Sequence, residues 1–271
     1  MVHRQEGGRA LTVSYSNVNG LISGLDELND YLKENKPDIM GIVEMKLTDQ
    51  VLSTCIGNEE YNTWTRNRKE KQGGGVMFLT RKNLKVSQVY YGEGGAELIK
   101  IGVETKIKGR REFAVMYVPP KTRAWGELEY ANMIRDSKRQ LGEVITGSDN
   151  LILMGDFNCG EVCWEEWTTE GSENSWGYTL LNLVMENTMT QWITEATRYR
   201  GEDEPSRLDL VFSKEPEVIE TVRYKTPLGK SDHILLEYEV ITDKMEEKRE
   251  EHKIGRLNYW KTNFDELKKI F

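Results

Sequence analysis

Several things are scarce in this sequence, and each scarcity excludes something. Cysteine occurs three times in 271 residues, at Cys55, Cys159 and Cys163. That is too few for a disulfide framework, so a reducing compartment is expected. Cys159 and Cys163 stand at CxxxC spacing, but no second cysteine pair or clustered histidine joins them; buried or inert thiols are expected rather than zinc ligands. Six prolines against 24 glycines exclude collagen-like and proline-rich architectures. No run approaches the roughly 18 consecutive apolar residues of a membrane span. The first ten residues are polar and charged, without the apolar core of a secretory signal. The expectation is a soluble chain with no membrane partner. Positive charge is also in deficit, 37 Lys and Arg against 45 Asp and Glu, a net charge of −8. Binding to an anionic polymer is driven by phosphate neutralisation. If nucleic acid is the substrate, local basic loops must therefore do the work, while the surplus carboxylates suit a divalent cation.

What is present is periodic. Residues 11–15 alternate apolar and polar and lead into Asn17-Val18-Asn19-Gly20, a strand followed by a loop. Leu21, Leu25, Leu28 and Leu32 recur at helical spacing over 21–35, with Pro37 after the stop. Residues 39–43 form a short apolar run ending on Glu44, a buried strand that delivers a carboxylate at its C-terminal end. Further strands are expected at 76–79, 86–91, 98–103, 113–118, 151–154, 208–212, 219–224 and 234–240, and helices at 127–145 and near 179–187. A loop rich in Trp, Glu and Gly carries Trp164, Trp167 and Trp176, expected in core or lid packing rather than stacked on bases. Interleaved strands and helices without internal repeats predict one α/β domain over 11–241, a flexible N-terminus over 1–10, and a charged linker or tail over 242–271 whose last part, 258–271, is amphipathic.

Several strands end in polar residues: Asn17, Glu44, Asp156 with Asn158, Asp209, and Asp232 with His233. A rigid sheet holds such termini while loops let them converge. Acids, amides and one imidazole are what an oxygen-liganded cation and a proton carrier need. Singly, each has a plainer reading: an Asp after a strand forms a turn, Glu44 caps the next turn, and His233 is a satisfied structural histidine.

Their order decides between these readings. Ser16-Asn17-Val18-Asn19-Gly20-Leu21, Ile42-Val43-Glu44, Tyr117-Val118-Pro119-Pro120, Gly155-Asp156-Phe157-Asn158, Ser206-Arg207-Leu208-Asp209 and Ser231-Asp232-His233 follow one another along nearly the whole folded part. Together they resemble the endonuclease/exonuclease/phosphatase superfamily. Within it the chain is most similar to the apurinic-endonuclease-like endonuclease domain of LINE-type (non-LTR) retrotransposons. The strongest blocks run from Thr197-Arg198-Tyr199-Arg200-Gly201 to Phe212 and over Pro227-Leu228-Gly229-Lys230-Ser231-Asp232-His233. The tail from Leu257-Asn258-Tyr259-Trp260-Lys261 to Phe264 resembles the connection of such domains to a reverse transcriptase.

The resemblance implies a DNase I-like fold: a four-layer α/β sandwich of two face-to-face mixed β-sheets flanked by helices. It implies a DNA endonuclease that nicks one strand of duplex DNA and leaves a 3′-hydroxyl able to prime reverse transcription. In these roles Glu44, helped by Asn17 and Asp232, holds Mg²⁺ or Mn²⁺. Asp156, beside Asn158, positions or deprotonates the attacking water. His233 contacts the phosphate, oriented by Asp209, and Tyr117 donates to the developing phosphorane charge. Asn19 departs from some repair-type relatives, which carry an acid there. Duplex DNA and a C-terminal reverse transcriptase are the implied partners, with synthesis in the cytoplasm and action in the nucleus. Lys121 and Arg123, soon after Tyr117, and Thr197, Arg198 and Ser206 are the implied DNA contacts; Arg66, Arg68, Lys69, Lys71, Arg110, Arg111 and Arg200 add local positive charge. Two rival readings are a catalytically silent, domesticated domain that binds nucleic acid or protein, and a superfamily phosphodiesterase acting on another substrate.

Overall fold

The strand Ile39–Val43 is apolar at every position because it is covered on both faces. Ile39 and Val43 join the large core between two sheets, while Met40 and Ile42 pack with Leu28 and Leu32 on the other side. Gly41 stands between them. A Cβ there would lie 2.7 Å from Met154 Sδ and 3.3 Å from Val115 Cγ2, so its missing side chain lets the sheets approach. The computed structural model describes residues 10–47, 59–68, 73–105 and 109–242. The expected flexible N-terminus up to residue 9, the tail from residue 243 onward, and Cys55, Lys69 and Lys71 lie outside the described residues.

In chain order the first strands are β1 (Ala10–Asn17), β2 (Ile39–Val43), β3 (Tyr61–Arg66), β4 (Val76–Arg81), β5 (Val86–Tyr91), β6 (Glu97–Thr105) and β7 (Gly109–Tyr117). They are followed by β8 (Leu151–Asp156), β9 (Val162–Cys163), β10 (Thr168–Thr169), β11 (Thr190–Gln191), β12 (Asp209–Ser213), β13 (Ile219–Lys225) and β14 (Leu235–Ile241). The helices are α1 (Leu25–Asn35), α2 (Glu127–Thr146) and α3 (Trp176–Glu186). One sheet has the order β13-β14-β1-β2-β4-β3, the other β11-β12-β8-β7-β6-β5, and β9 with β10 makes a small hairpin. Each large sheet is mixed, with one parallel pair at its centre: β1 with β2, and β7 with β8. The crossovers are α1 and α2, so two βαβ units stand face to face. Leu28 and Leu32 of α1 cover the first sheet, while Leu141, Val144 and Ile145 of α2 and Leu180, Leu181 and Val184 of α3 cover the second. The expected four-layer sandwich is the fold.

Local chemistry sets the element ends. α1 stops where Lys36 turns left-handed (φ 49°) and Pro37 follows. The Gly126 amide donates to Glu129 Oε2 at 3.2 Å before α2, and Ser175 Oγ accepts from the Tyr178 amide at 3.1 Å before α3. That Ser175 cap starts α3 at Trp176, three residues before the expected start. The expected helix over 21–35 opens as a 3-10 turn, Leu21–Gly24, and becomes α-helical only at Leu25. β7 extends back to Gly109 because charged Arg111 and Glu112 are buried in ion pairs with Glu215 (2.7 Å) and Lys100 (2.8 Å). The sequence reading missed β3, an edge strand in which only Tyr61 is buried, so it carries no apolar alternation. Trp164 and Trp176 are buried as expected: Trp164 packs edge-on to Phe212 and Trp167, and Trp176 Nε1 donates to the Phe157 carbonyl at 2.7 Å.

Candidate active site

The polar strand ends meet across the gap between the two sheets. β1 has Val13, Tyr15 and Asn17 on one face, by its two-residue period, and that face looks at the second sheet. Tyr15 Oη donates to Asp209 Oδ1 at 2.8 Å, and Asn17 Nδ2 donates to Asp156 Oδ2 at 2.9 Å. Tyr117 Oη, at the end of β7, donates to Glu44 Oε1, just beyond β2. His233 Nδ1, two residues before β14, meets Asp209 Oδ2 at 2.6 Å. Each of these four hydrogen bonds joins one sheet to the other.

Asp209 has both oxygens engaged, and its own amide and that of Leu208 donate to Thr197 Oγ1 at 3.0 and 3.1 Å. Burial disfavours the charged imidazole of His233, but the charge and hydrogen bond of Asp209, with Asp156 and Asp232 behind it, override that and raise its pKa to about 9. At neutral pH His233 is therefore an imidazolium whose Nδ1–H is committed to Asp209. Its backbone is placed by Ser231, whose Oγ accepts from the His233 amide (3.1 Å) and donates to the Asn17 carbonyl (2.6 Å).

Asp156 is fully buried. Its Oδ1 accepts from the Asn158 amide at 3.1 Å, and Asn158 Nδ2 ties back to the Val118 carbonyl at 3.0 Å. Burial, then the neighbouring Asp209 carboxylate, push Asp156 well above the usual carboxylate range. Asn158 (φ 47°), Glu44 (φ 53°), Lys46 (φ 55°) and Asn19 (φ 45°) are all left-handed non-glycine residues beyond strand ends. Such conformations are strained and persist only where surrounding contacts hold them. Here the Gly20 amide donates to the Glu44 carbonyl (2.8 Å) and the Lys46 amide to the Gly74 carbonyl (2.8 Å).

Glu44 also has Lys46 Nζ 3.3 Å from its Oε2, and the same ammonium donates to Asn19 Oδ1. Burial, and next Glu44, keep the Tyr117 phenol far above its ordinary pKa, so it stays a donor. Asp232 is held below the usual range: partial burial opposes this, but the Arg198 Nε hydrogen bond (3.0 Å) and the His233 charge prevail. Asp156, Asp209 and His233 each bring a ligand-type atom within 4.8 Å of the other two, a group that could hold a metal ion. With His233 charged and both Asp209 oxygens engaged, oxygen donors nearer the cleft are better suited to a hard divalent cation. Glu44 and Asp232, with side chains 16% and 21% exposed, are reachable carboxylates of that kind. Asn17 Oδ1, which accepts the Asn19 amide at 2.9 Å, keeps a second lone pair. The donor set fits such an ion.

The expected DNA contacts divide. Lys121 and Arg123 are exposed on the loop after Tyr117. Arg198 and Ser206 form a two-residue bridge beside His233, with Arg198 already paired to Asp232. Thr197 differs from expectation: it is fully buried and its hydroxyl serves the amides of Leu208 and Asp209, so it positions Asp209 and does not face a ligand. Arg110 and Arg111 sit at the far end of β7 from Tyr117, and Arg111 is buried against Glu215. Tyr15 and Ser231 were missed as site residues. Tyr15 carries a readable signal, since it shares the alternating face of Asn17, whereas Ser231 gains meaning only from its tertiary partners.

The model of the endonuclease/exonuclease/phosphatase family matches residues 15–233. No curated protein matches the sequence. Among solved structures, the AP endonuclease LMAP from Leishmania major superposes with a TM-score of 0.69 at 14% identity, over 87% of this chain and 89% of that one. The endonuclease domain of TRAS1, a telomere-specific non-LTR retrotransposon, gives 0.65 at 16% identity, over 85% and 98%. The 3′-5′ exonuclease NExo from Neisseria meningitidis gives 0.64 at 18% identity, over 85% and 99%. At these identities the likeness is one of fold. A family match that spans most of the folded chain and ends on the histidine of the Asp209–His233 pair is enough to place it: the chain belongs to the endonuclease/exonuclease/phosphatase family of metal-dependent phosphodiesterases and nucleases.

Proposed function

We propose that the chain is a divalent-metal-dependent DNA endonuclease that nicks one strand of a duplex, leaving a 3′-hydroxyl that primes reverse transcription in retrotransposition. The observation that carries the hydrolytic reading is the set of side chains joined across the sheet gap, Asp209–His233, Asn17–Asp156 and Glu44–Tyr117. Glu44, Asn17 and Asp232 would hold Mg²⁺ or Mn²⁺. The chemistry such an ion supplies when bound is Lewis-acid polarisation of the scissile phosphate and neutralisation of charge on the leaving 3′ oxygen.

The chain's own residues account for the rest. The buried imidazolium of His233, held by Asp209, offers Nε2–H to a phosphate oxygen. Asp156 has a raised proton affinity and sits between the Asn17 and Asn158 donors, so it can take the proton of an attacking water. Tyr117, which stays protonated, turns its hydroxyl from Glu44 to the oxygen on which charge develops. Lys121, Arg123, Arg198 and Ser206 would contact the backbone and set the register of the duplex. DNA as the substrate draws support from the TRAS1 endonuclease domain, and from the Neisseria NExo structure solved with a product DNA hairpin. A reverse transcriptase joined C-terminally and action in the nucleus belong to the same reading.

The test is supercoiled plasmid with Mg²⁺, beside EDTA and an Asp156→Ala, His233→Ala double variant. Open circles with 3′-hydroxyl ends from the wild type alone are expected. No conversion at any Mg²⁺ or Mn²⁺ concentration would sink the DNA-nicking reading.

A further inference from the structure

The Tyr117–Glu44 hydrogen bond hangs at both ends from one buried carboxylate outside the catalytic set. Glu97, the first residue of β6, is the antiparallel partner of Tyr117 on β7, so the two side chains leave the same face of the second sheet. Glu97 Oε2 accepts from the Gly75 amide. Gly74 and Gly75 in turn hold the loop just beyond Glu44: the Lys46 amide donates to the Gly74 carbonyl at 2.8 Å, and the Met45 amide to the Gly75 carbonyl at 3.5 Å. Glu97 Oε1 holds Arg68, with Nε at 2.6 Å and Nη2 at 2.5 Å. The Arg68 guanidinium lies over the Tyr117 ring, 5.8 Å from its centroid, and over the Trp125 ring at 5.3 Å.

The charge of Arg68 is committed inside the protein. Its side chain is 14% exposed and that of Glu97 5%. Burial pushes the Glu97 carboxyl up, while Arg68 and the Gly75 amide pull it back. A guanidinium balanced in this way is poorly placed to neutralise a phosphate, but its flat face suits an aromatic ring. A Cβ on Gly74 would lie 2.3 Å from Glu97 Oε2 and 2.5 Å from Arg68 Nη2, so the glycine run at 73–75 packs directly on the pair. A cavity of about 540 Å³ lies on the same side. Arg68, Trp125 and Asn132 wall it and Tyr117 does not, so the guanidinium stands between the Tyr117 ring and open space. With Arg68 cut back, the ring gains room to tilt its hydroxyl away from Glu44 and from the oxygen on which charge develops.

We infer that Arg68, held by Glu97, is a positioning residue for Tyr117: its stack on the ring fixes where the phenol hydroxyl points during phosphodiester hydrolysis. The inference rests on the DNA-nicking reading, and its test separates the two. Nicking kinetics are measured for wild type, Arg68→Ala, Arg68→Lys and Tyr117→Phe, and for each Arg68 variant combined with Tyr117→Phe. Arg68→Lys keeps a cation for Glu97 but loses the planar face, and it decides by the same comparison if Arg68→Ala does not fold. Both Arg68 variants should lower kcat, Arg68→Ala by about 10- to 100-fold, with KM and its salt dependence unchanged. Either should cost little more once Tyr117 is replaced, because the two residues act as one unit. A loss carried by KM with a shallower salt dependence would make Arg68 a phosphate contact and overturns the inference, as does a loss of full size in the Tyr117→Phe background. Tyr117 is also followed apart from turnover, through the [¹³Cζ]-tyrosine NMR resonance that disappears in Tyr117→Phe. That resonance should shift in the Arg68 variants, and an unmoved resonance overturns the inference. A wild type that makes no nicks while the resonance shifts supports the placement of the phenol and overturns the nuclease reading. A wild type that nicks no faster than both Arg68 variants overturns the positioning role alone.

Discussion

Tyr15 and Asp209 stand 194 positions apart in sequence and 2.8 Å apart in space, with the phenol donating to the carboxylate that holds His233. The bond passes between the two sheets inside the core, where Tyr15 and Asp209 are both fully buried. Burial, and then the Asp209 charge, keep the phenol protonated, so it is a permanent donor. Asp209 therefore faces His233 through one oxygen only, and its orientation is over-determined before any substrate arrives.

Tyr15→Phe deletes one donor to a buried carboxylate and leaves the packing intact. The expected loss of stability is about 1–3 kcal/mol, read as a lower urea midpoint with an unchanged slope. Because Asp209 loosens, nicking should fall about tenfold. Unchanged rate and midpoint would show that Thr197 and the strand register hold Asp209 without Tyr15.

The Asp209–His233 pair predicts a pH dependence with a definite sign. The folded His233 pKa, about 9, lies above its ordinary value of 6.5. The stabilisation is thus fully present below pH 6.5 and lost as pH rises through about 9. Urea midpoints measured from pH 6 to 10 should decline over that window in the wild type. The decline should be flatter in His233→Asn. Parallel slopes in the two proteins would refute the pair as its source.

Glu44 predicts a metal-linked stability. Mg²⁺ that binds the folded chain alone raises the unfolding free energy by about 2.7 kcal/mol at a hundredfold excess over its dissociation constant. Melting curves with and without millimolar Mg²⁺ should separate for the wild type and coincide for Glu44→Gln. Equal shifts in both would move the ion to another site, such as the Asp156, Asp209 and His233 group.

Gly229 predicts a structural sensitivity at a distance from the chemistry. It has φ 61°, and a Cβ there would lie 2.6 Å from the Gly24 Cα. Gly229→Ala should cost about 1–3 kcal/mol and displace the loop that carries Ser231, Asp232 and His233. A lower melting temperature together with reduced nicking is expected; a normal melting temperature would mean that the loop adapts.

Much of the site was legible because its residues end recognisable strands. Glu44 closes an apolar run, Asp156 closes another, and Asp232 with His233 precedes a third, so their positions at strand ends follow from periodicity. Thr197, expected at the DNA, is instead buried with its hydroxyl serving two backbone amides. A polar side chain near a motif looks like a ligand contact until burial shows its hydrogen bonds to be internal. β3 was not legible, since an edge strand needs no apolar alternation. The cavity walled by Arg68, Trp125 and Asn132 was not legible either, because its lining comes from three separate stretches of chain.

By itself the sequence determined most of the strands and helices, their interleaving in one α/β domain, and a set of acids, amides and one histidine at strand ends. Local periodicity and capping are properties of neighbouring residues, so they can be read along the chain. Only the tertiary structure decided the pairings: Tyr15 with Asp209, Asn17 with Asp156, Tyr117 with Glu44, and Arg198 with Asp232. Those pairings depend on how closely two sheets pack and in what register. That is set by the summed burial of both inner faces and by the gap that Gly41 leaves open against Met154 and Val115.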